Sequence, residues 1–185
     1  IVDGDDTERV TRLLAMLRET IEARAERYAA VRAGSIAEYR QLANAPEEPR
    51  ILLLVDGGPA FRTQYEYAAG RVYADFQQII ADGRAVGVHV VLSADRPGAL
   101  NTAITSGMQR KVVLRMTEET DYGSLDVPND VLSPSSPPGR ALVDGLETQI
   151  AVFGGSANLA DQSRAVDRLA ATLRERGVKA APGVA

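Results

Sequence analysis

The chain contains no cysteine. Disulfide bonds, thiolate zinc sites and cysteine nucleophiles are therefore excluded, and the composition fits a reducing compartment such as the cytosol. Long apolar runs are also missing, since none approaches the roughly 20 residues that a membrane-spanning helix needs. We also expect no leader sequence before Ile1. We therefore expect a soluble protein that does not insert directly into a membrane.

Basic residues are outnumbered by acidic ones, 21 Lys and Arg against 25 Asp and Glu, which gives a formal net charge of -4. This balance provides no general attraction for a nucleic-acid backbone, so any contact with DNA would have to be local. With 45% hydrophobic and 25% charged residues, the 185-residue chain has the composition of an ordinary folded protein. We expect a single domain over residues 1–177 and a flexible tail over 178–185.

Periodic apolar residues predict helices near both ends of the chain. Apolar side chains recur at helical spacing over residues 7–32, and a second short helix follows. A last amphipathic helix is predicted over 159–176, with Val166, Leu169 and Leu173 on one face.

Between these helices the pattern changes to short, uninterrupted apolar runs. Ile51–Val55 and Val88–Leu92 are typical of strands that are covered on both faces of a parallel sheet. One helix over Tyr65–Ala81 joins them, Lys111–Met116 forms a third strand, and Asp144-Gly145 indicates a tight hairpin turn. The sequence therefore predicts an α/β fold: a mostly parallel sheet flanked by helices, with a C-terminal hairpin and helix.

An aspartate ends the first of these strands. Asp56 follows the apolar run directly, and ligands of α/β proteins gather at the carboxyl ends of parallel strands. Asp56 is thus either a metal-holding carboxylate or the last residue of a strand before a Gly-Gly turn. A hydrolytic site would need a second carboxylate to polarise the attacking water, but the next residue is Gly57, which cannot accept a proton.

Polar residues also follow the second strand. Ser93, Asp95 and Arg96 are expected at the same edge of the sheet as Asp56. They could sense a γ-phosphate, or Asp95 and Arg96 could cap the next helix and pair with each other. His89, the only histidine, lies within the strand, where we expect a packed and hydrogen-bonded core residue rather than a catalytic one.

Several stretches resemble one family. The strand 51–56, the segment 84–97 with its pattern GxHxxLxxxRP, and the strand 110–115 resemble the latter half of an FtsK/SpoIIIE-type ATPase domain. The segment PPGRALVDG at 137–145 is similar to that family's proline-glycine loop and hairpin, so that the resemblance covers roughly residues 1–155. The sequence between residues 121 and 128 is most similar to that of the actinobacterial branch of type VII secretion ATPases of the EccC/EssC kind.

The resemblance implies a partial RecA-like sheet of the P-loop NTPase (ASCE) type. It also implies ATP and magnesium held between neighbouring subunits, in hexameric rings that pull DNA or export proteins. By position, Asp56 would be the Walker B aspartate and a magnesium ligand, and Asp95 would occupy the polar sensor position beside Arg96. Ser93 and Arg96 would be further nucleotide-binding residues.

Three basic residues match positions that could face a neighbour's phosphates. These are Arg84, Arg110 and Lys111, and the resemblance does not say which of them acts. The alternative is that they are simply solvated, as basic side chains at strand ends commonly are.

The departures from the family are informative. The phosphate-binding pattern GxxxxGK[ST] is absent from these 185 residues, and Gly57 replaces the Walker B glutamate. In RecA-like sheets the strand that feeds the P-loop lies between the sensor strand and the strand after it. Either the strands 88–92 and 111–116 pair directly, or an apolar slot remains between them. We interpret the chain as a fragment of a larger protein, to which ATP and magnesium would not bind tightly.

The leading hypothesis is a degenerate module of a secretion motor. It would act in assembly or regulation, with other ATPase modules as partners, in the cytoplasm as part of a membrane-associated complex. A second hypothesis is peptide binding by an aromatic cluster of Tyr65, Tyr67, Tyr73 and Phe76, whose alternative is burial against the sheet. DNA translocation and an unrelated flavodoxin-like regulator remain as further alternatives.

Overall fold

The structure is a computed structural model that describes residues 1–68, 70–96 and 98–179. The described residues form two compact units, the first from Ile1 to Gln109 and the second beginning at Arg110. The expectation of a single domain over 1–177 stays a prediction. Of the tail predicted over 178–185, the last six residues lie outside the described part, as does Pro97 of the GxHxxLxxxRP pattern.

Two helices open the first unit where the spacing predicts them. Helix α1 spans Thr7–Ala30 and is capped by Asp6, whose carboxylate accepts a hydrogen bond from the Arg9 backbone N–H at 3.0 Å. Its buried face consists of Val10, Leu14, Leu17, Ile21, Arg24 and Tyr28. Helix α2 spans Ile36–Leu42 and is capped by the Ser35 hydroxyl.

Two parallel strands form the sheet of the first unit. Strand β1 is Ile51–Val55 and strand β2 is Val88–Leu92, paired in register with Leu53 opposite Val90. The predicted strands are therefore confirmed, and so is the α/β class.

The prediction of a single helix over Tyr65–Ala81 is wrong, because two helices lie between β1 and β2. Helix α3 spans Gly58–Tyr65 and helix α4 spans Val72–Asp82. Pro59 lies in the first turn of α3, where no backbone N–H is needed for a hydrogen bond within the helix. It is therefore compatible with a helix that begins at Gly58. Between the helices Gly70 has φ 122°, a conformation that interrupts helical structure.

One face of this sheet is exposed, although both faces were predicted to be covered. Leu53 is 9% exposed, whereas Leu52, Leu54 and Val91 on the other face are 62%, 70% and 55% exposed. His89 is paired with Leu52 and shares that face. It is half-buried and makes no hydrogen bond through its ring within the described residues, so it is not the hydrogen-bonded core residue that we expected.

A buried ion pair and its neighbouring hydrogen bonds connect the segments that precede β1 and β2 to helix α1. Arg24 is 4% exposed; its Nε lies 3.0 Å from Glu48, and its guanidinium donates to the Val86 carbonyl at 2.9 Å. Glu48 also accepts two hydrogen bonds from Arg27, at 3.0 and 3.1 Å. The residues that precede β1 and β2 are thus anchored to the same helix. Helix α5, Thr102–Gly107, ends the first unit.

The second unit contains a three-stranded antiparallel sheet. Strand β3 is Val112–Leu114, β4 is Arg140–Val143 and β5 is Leu146–Gln149, in the order β3-β4-β5. The predicted hairpin is confirmed, with Asp144 and Gly145 both at positive φ. Among the described strands, β1 and β2 form one sheet and β3, β4 and β5 form another.

Two helices complete the second unit. Helix α6 is Glu119–Ser124 and helix α7 is Leu159–Glu175. The unit's small core consists of Val113, Tyr122, Leu132 and Leu142. The apolar face predicted for the last helix is exposed, with Val166, Leu169 and Leu173 at 55%, 45% and 39%, and the buried residue of α7 is Ala165. Among the described helices, none is both long and apolar enough to cross a membrane.

Candidate functional site

The ends of β1 and β2 bring Asp56, Ser93 and Asp95 together. Because the two strands are parallel and in register, the residues that follow them lie at one edge of the sheet. The Ser93 hydroxyl donates a hydrogen bond to the Asp56 carboxylate at 2.5 Å. Asp95 lines the same cavity of about 360 Å³, together with Gly57, Pro59, Ala60 and Ala94. The two predicted acids therefore share one rim.

Ser93 contacts every residue from Val55 to Gly58. Its backbone N–H donates to the Val55 carbonyl at 3.0 Å, and its carbonyl accepts from the Gly58 N–H at 2.8 Å. Its hydroxyl oxygen accepts from the Gly57 N–H at 2.8 Å while donating to Asp56. We call these four hydrogen bonds the Ser93 bridge. It joins the carboxyl ends of the two strands across the turn that follows Asp56.

Gly57 and Gly58 are glycines for different physical reasons. Gly57 has φ 81° and ψ 52°, the left-handed conformation that other residues adopt at a cost. A Cβ at Gly58 would lie 2.8 Å from Leu92 Cδ1 and 3.0 Å from Leu100 Cδ2, so a side chain at this position would require these leucine side chains to shift. The Gly-Gly turn that the sequence offered as an alternative is thus present, and it ends at the first residue of α3.

The donor set at this edge fits at most a part of a metal site. Asp56 is exposed and could give one carboxylate oxygen to a magnesium ion, and the Ser93 hydroxyl lies beside it. No group of three or more metal-binding side chains occurs within the residues that the structure describes. Magnesium takes six oxygen ligands, so the others would have to come from water and from phosphates.

Asp95 and Arg96 are exposed and contact each other only weakly. Each side chain is 72% exposed, and the Arg96 Nε lies 3.9 Å from the Asp95 carboxylate. They do not cap the following helix, because the side chain of Asn101 accepts the hydrogen bond from the Ile104 N–H at 3.0 Å. Asp95 is among the residues that line the cavity, whereas Arg96 is not.

The three basic candidates lie in different surroundings. Arg84 is exposed and precedes β2, at the end of that strand away from Ser93. In the second unit, Arg110 lies 3.2 Å from the Asp144 carboxylate, and Lys111 donates to the Leu125 carbonyl at 3.2 Å. Within the first unit, Arg84 is not among the residues that line the cavity that Asp56 and Asp95 share.

A polar network that the sequence analysis missed supports this edge. Arg62 Nε lies 2.6 Å from Glu66, and the same guanidinium donates to the Ala99 carbonyl at 3.3 Å. Asn101 donates to the other Glu66 oxygen at 3.2 Å. The hydrogen bond from Arg62, with a further one from Asn101, lowers the pKa of Glu66 although partial burial opposes the shift. Arg62 and Glu66 are four residues apart, a spacing that is typical of ion pairs on a helix, and this was the feature of the sequence that could have predicted the network.

The predicted aromatic cluster is mainly core. Tyr65, Tyr73 and Phe76 are 2%, 6% and 1% exposed, and Phe61 packs against them with its ring centroid 4.9 Å from that of Phe76. Tyr67 is the exception, at 85% exposed. A peptide-binding surface built from these rings is therefore reduced to a single side chain.

Comparison with known proteins gives relatives of one kind, although no family model matches the chain. The ESX-1 secretion system protein EccCb1 of Mycobacterium tuberculosis is 26% identical over 149 residues, 77% of this chain and 24% of that protein. The ESX-4 protein EccC4 of the same organism is 29% identical over 146 residues, 77% of this chain and 11% of that protein. The chain thus spans a quarter or less of the length of these relatives.

Solved structures give the fold. The ATPases 2 and 3 of EssC from Geobacillus thermodenitrificans match with a TM-score of 0.80 and 19% identity, over 97% of this chain and 34% of that one. The ATPases 2 and 3 of Thermomonospora curvata EccC, solved in complex with a signal sequence peptide, match with a TM-score of 0.74 and 24% identity, over 98% of this chain and 34% of that one. The resemblance to EccC/EssC-type ATPases that the motifs predicted is confirmed.

Proposed function

We propose that this chain, whose homologues are the EccC and EssC ATPases of type VII secretion systems, is an ATPase-fold module that does not hydrolyse nucleotide. It acts in the assembly or regulation of a larger secretion motor. The observation that carries this proposal is Gly57, which stands directly after Asp56 in a left-handed turn where a hydrolytic site needs a carboxylate.

The surroundings of Asp56 support the absence of a general base. Asp56 and Asp95 are the acids that line the cavity, and Asp95 follows β2, so it does not occupy the position next to Asp56 where a hydrolytic site needs its second carboxylate. One oxygen of Asp56 accepts the hydrogen bond from Ser93. A base must come within about 3 Å of the water that it activates, and Gly57 offers no group for that task.

The lysines of the chain support the same conclusion. A P-loop places a lysine on the β- and γ-phosphates, after a glycine and before a serine or threonine. This chain has two lysines, Lys111 and Lys179, and neither stands in that pattern. We expect neither ATP nor magnesium to bind tightly here, although Asp56, Ser93, Asp95 and Arg96 would border a nucleotide completed by other parts of an assembled motor.

The partners that we propose are other ATPase modules. Arg84 is exposed and makes no ion pair within the described residues, whereas Arg110 and Lys111 have local partners. Of the three basic candidates, Arg84 is therefore the one we assign to a neighbour's phosphates. The proposed location is the cytoplasmic side of a membrane-associated secretion complex, which follows the solved cytoplasmic domain of Thermomonospora curvata EccC.

A secreted peptide is a partner of the larger motor in this proposal, because an EccC relative has been solved with a signal sequence peptide. The aromatic cluster predicted for that purpose does not support a peptide site on this chain, since three of its four rings are buried. Duplex DNA is less favoured, because the net charge of -4 gives no attraction for phosphates.

A titration with a fluorescent ATP analogue, with and without magnesium, tests the proposal. We expect no saturable binding in the micromolar range and no release of phosphate above the background of the Asp56→Ala variant. Micromolar binding with phosphate release, both lost in Asp56→Ala, would refute a non-hydrolysing role. A gel-shift series with duplex DNA at several salt concentrations tests the DNA alternative, and a salt-dependent shift would revive it.

A further inference from the structure

Gly57 lacks a carboxylate and also has a left-handed backbone conformation. We propose that Ser93 is a positioning residue that holds Gly57 in this conformation, so that a glutamate introduced at this position would not supply a general base. The inference rests on the proposed non-hydrolysing role of the site, and it assigns to Ser93 a part other than nucleotide sensing.

The backbone part of the Ser93 bridge fixes both ends of the turn. The Ser93 N–H binds the Val55 carbonyl at 3.0 Å, and the Gly58 N–H binds the Ser93 carbonyl at 2.8 Å. The main chain must therefore cover the distance between Val55 and Gly58 with only two residues in between. Positive φ angles are common in such short spans between fixed points.

The side chain of Ser93 then fixes the two residues in between. A hydroxyl has one donor and two acceptor sites. The Ser93 hydroxyl donates to Asp56 at 2.5 Å and accepts from the Gly57 N–H at 2.8 Å. The direction of the Gly57 N–H, and with it the φ angle of 81°, is thus coupled to a side chain 36 residues away.

The obstacle to a side chain at Gly57 is conformation and not space. A Cβ placed there would have Ala60 Cβ at 4.0 Å as its nearest neighbour, which is ordinary contact. By contrast, left-handed φ is unfavourable for residues with a Cβ, and least so for asparagine. Replacement of Gly57 should therefore lower the stability of the folded protein. The loss should be larger for residues that adopt positive φ less readily, whatever their charge.

Gly58 limits the ways in which the turn could relax. Its missing side chain leaves room for Leu92 and Leu100, which a Cβ would approach to 2.8 and 3.0 Å. The Gly58 N–H binds the Ser93 carbonyl, and the side chains of these leucines lie on the side where a Cβ would project. A residue at position 57 with negative φ would have to displace one of these contacts.

The test is a double-mutant cycle on the purified protein in denaturant, without nucleotide. We expect Gly57→Ala and Gly57→Glu to lower the folding equilibrium constant by a similar factor, roughly 5- to 30-fold, and Gly57→Asn by less. When Ser93→Ala is already present, the factor for Gly57→Glu should be clearly smaller, because the Gly57 N–H is no longer directed by the hydroxyl.

Amide hydrogen exchange provides a second readout. The Gly57 amide should exchange faster in Ser93→Ala than in the natural protein and should stay protected in Ser93→Thr, which keeps the hydroxyl. If Ser93→Ala does not fold, Ser93→Thr can be compared with and without Gly57→Glu. This comparison still measures whether the glutamate lowers stability as much as it does in the natural protein. Gly57→Glu should release no phosphate from ATP.

Additive effects of Gly57→Glu and Ser93→Ala would overturn the inference, and so would a Gly57→Glu variant as stable as the natural protein. These results are independent of nucleotide. Hydrolysis of ATP by the natural protein would instead refute the proposed function and leave the cycle unaffected, so the two failures are distinguishable.

Discussion

Leu54 and Val91 lie side by side in register on neighbouring parallel strands, and both side chains are more than half exposed. The opposite face of the same sheet contains Leu53, which is 9% exposed. Parallel sheets normally have both faces covered. In this chain one face therefore contributes to the core while the other contributes little to stability.

The two faces of β1 can be compared with two leucine variants. Leu53→Ala should cost about 2–5 kcal/mol, because it removes buried methyl groups and leaves a cavity. Leu54→Ala should change the free energy of unfolding by about 0.5 kcal/mol or less, because its side chain is 70% exposed. Urea unfolding measures both. Equal losses for the two variants would mean that the exposed face is covered in solution.

Removal of one partner of the ion pair between Arg24 and Glu48 should strongly destabilise the folded protein. Arg24 is 4% exposed, so Glu48→Gln would leave a buried guanidinium without its anion, and we expect a cost of about 3–5 kcal/mol. Asp144→Asn is a matched control that breaks the exposed pair with Arg110, which should cost less than about 1 kcal/mol. Denaturant unfolding of both variants checks the difference, and similar small losses would contradict the role given to Arg24.

Glu66 should make the stability of the protein depend on pH in the acidic range. Its pKa is lowered in the folded state, chiefly by the hydrogen bond from Arg62. The folded state therefore binds fewer protons than the unfolded state between the two pKa values. The stabilisation is present above the ordinary glutamate pKa of about 4.3 and is lost as the pH falls through the lower folded value.

The Glu66→Gln variant isolates this contribution. The natural protein should exceed the variant in stability at neutral pH, and the difference should shrink as the pH is lowered below about 4.3. Unfolding curves recorded at a series of pH values give the comparison. A difference that stays constant down to the lowest pH would show that the ionised carboxylate does not contribute.

The aromatic residues should separate into one surface ring and a core. Phe76→Ala should cost about 3–5 kcal/mol, because the ring is 1% exposed and packs against Phe61. Tyr67→Ala should change stability by about 0.5 kcal/mol or less, because Tyr67 is 85% exposed. Thermal unfolding distinguishes them. A large loss for Tyr67→Ala would mean that its ring packs against other residues in solution.

Several elements could be predicted from the sequence because their causes are local. The spacing of Val10, Leu14 and Leu17 predicts α1, and the Asp-Gly pair predicts the turn between β4 and β5. The motifs around β2 were specific enough to predict the relatives. The break between α3 and α4 was missed, because the apolar spacing continues across Gly70 while the backbone there leaves helical geometry.

Burial was harder to predict than secondary structure. The apolar faces of the β1–β2 sheet and of α7 look like core in sequence, yet Leu54 and Val166 are 70% and 55% exposed. Periodicity identifies which residues share a face, but it does not identify what covers that face. Conversely Arg24 looks like a surface residue on α1 and is buried, because Glu48 reaches it from another segment.

By itself the sequence determined which groups are available: an aspartate and a serine at the ends of two strands, a glycine where a hydrolytic site needs an acid, and no P-loop in these 185 residues. Only the tertiary structure decided how they are used. The parallel pairing of β1 and β2 brings Ser93 onto the turn that follows Asp56, and its hydrogen bonds accompany a left-handed Gly57. The physical reason is that chemistry belongs to single residues, whereas conformation and burial depend on contacts between segments far apart in the chain.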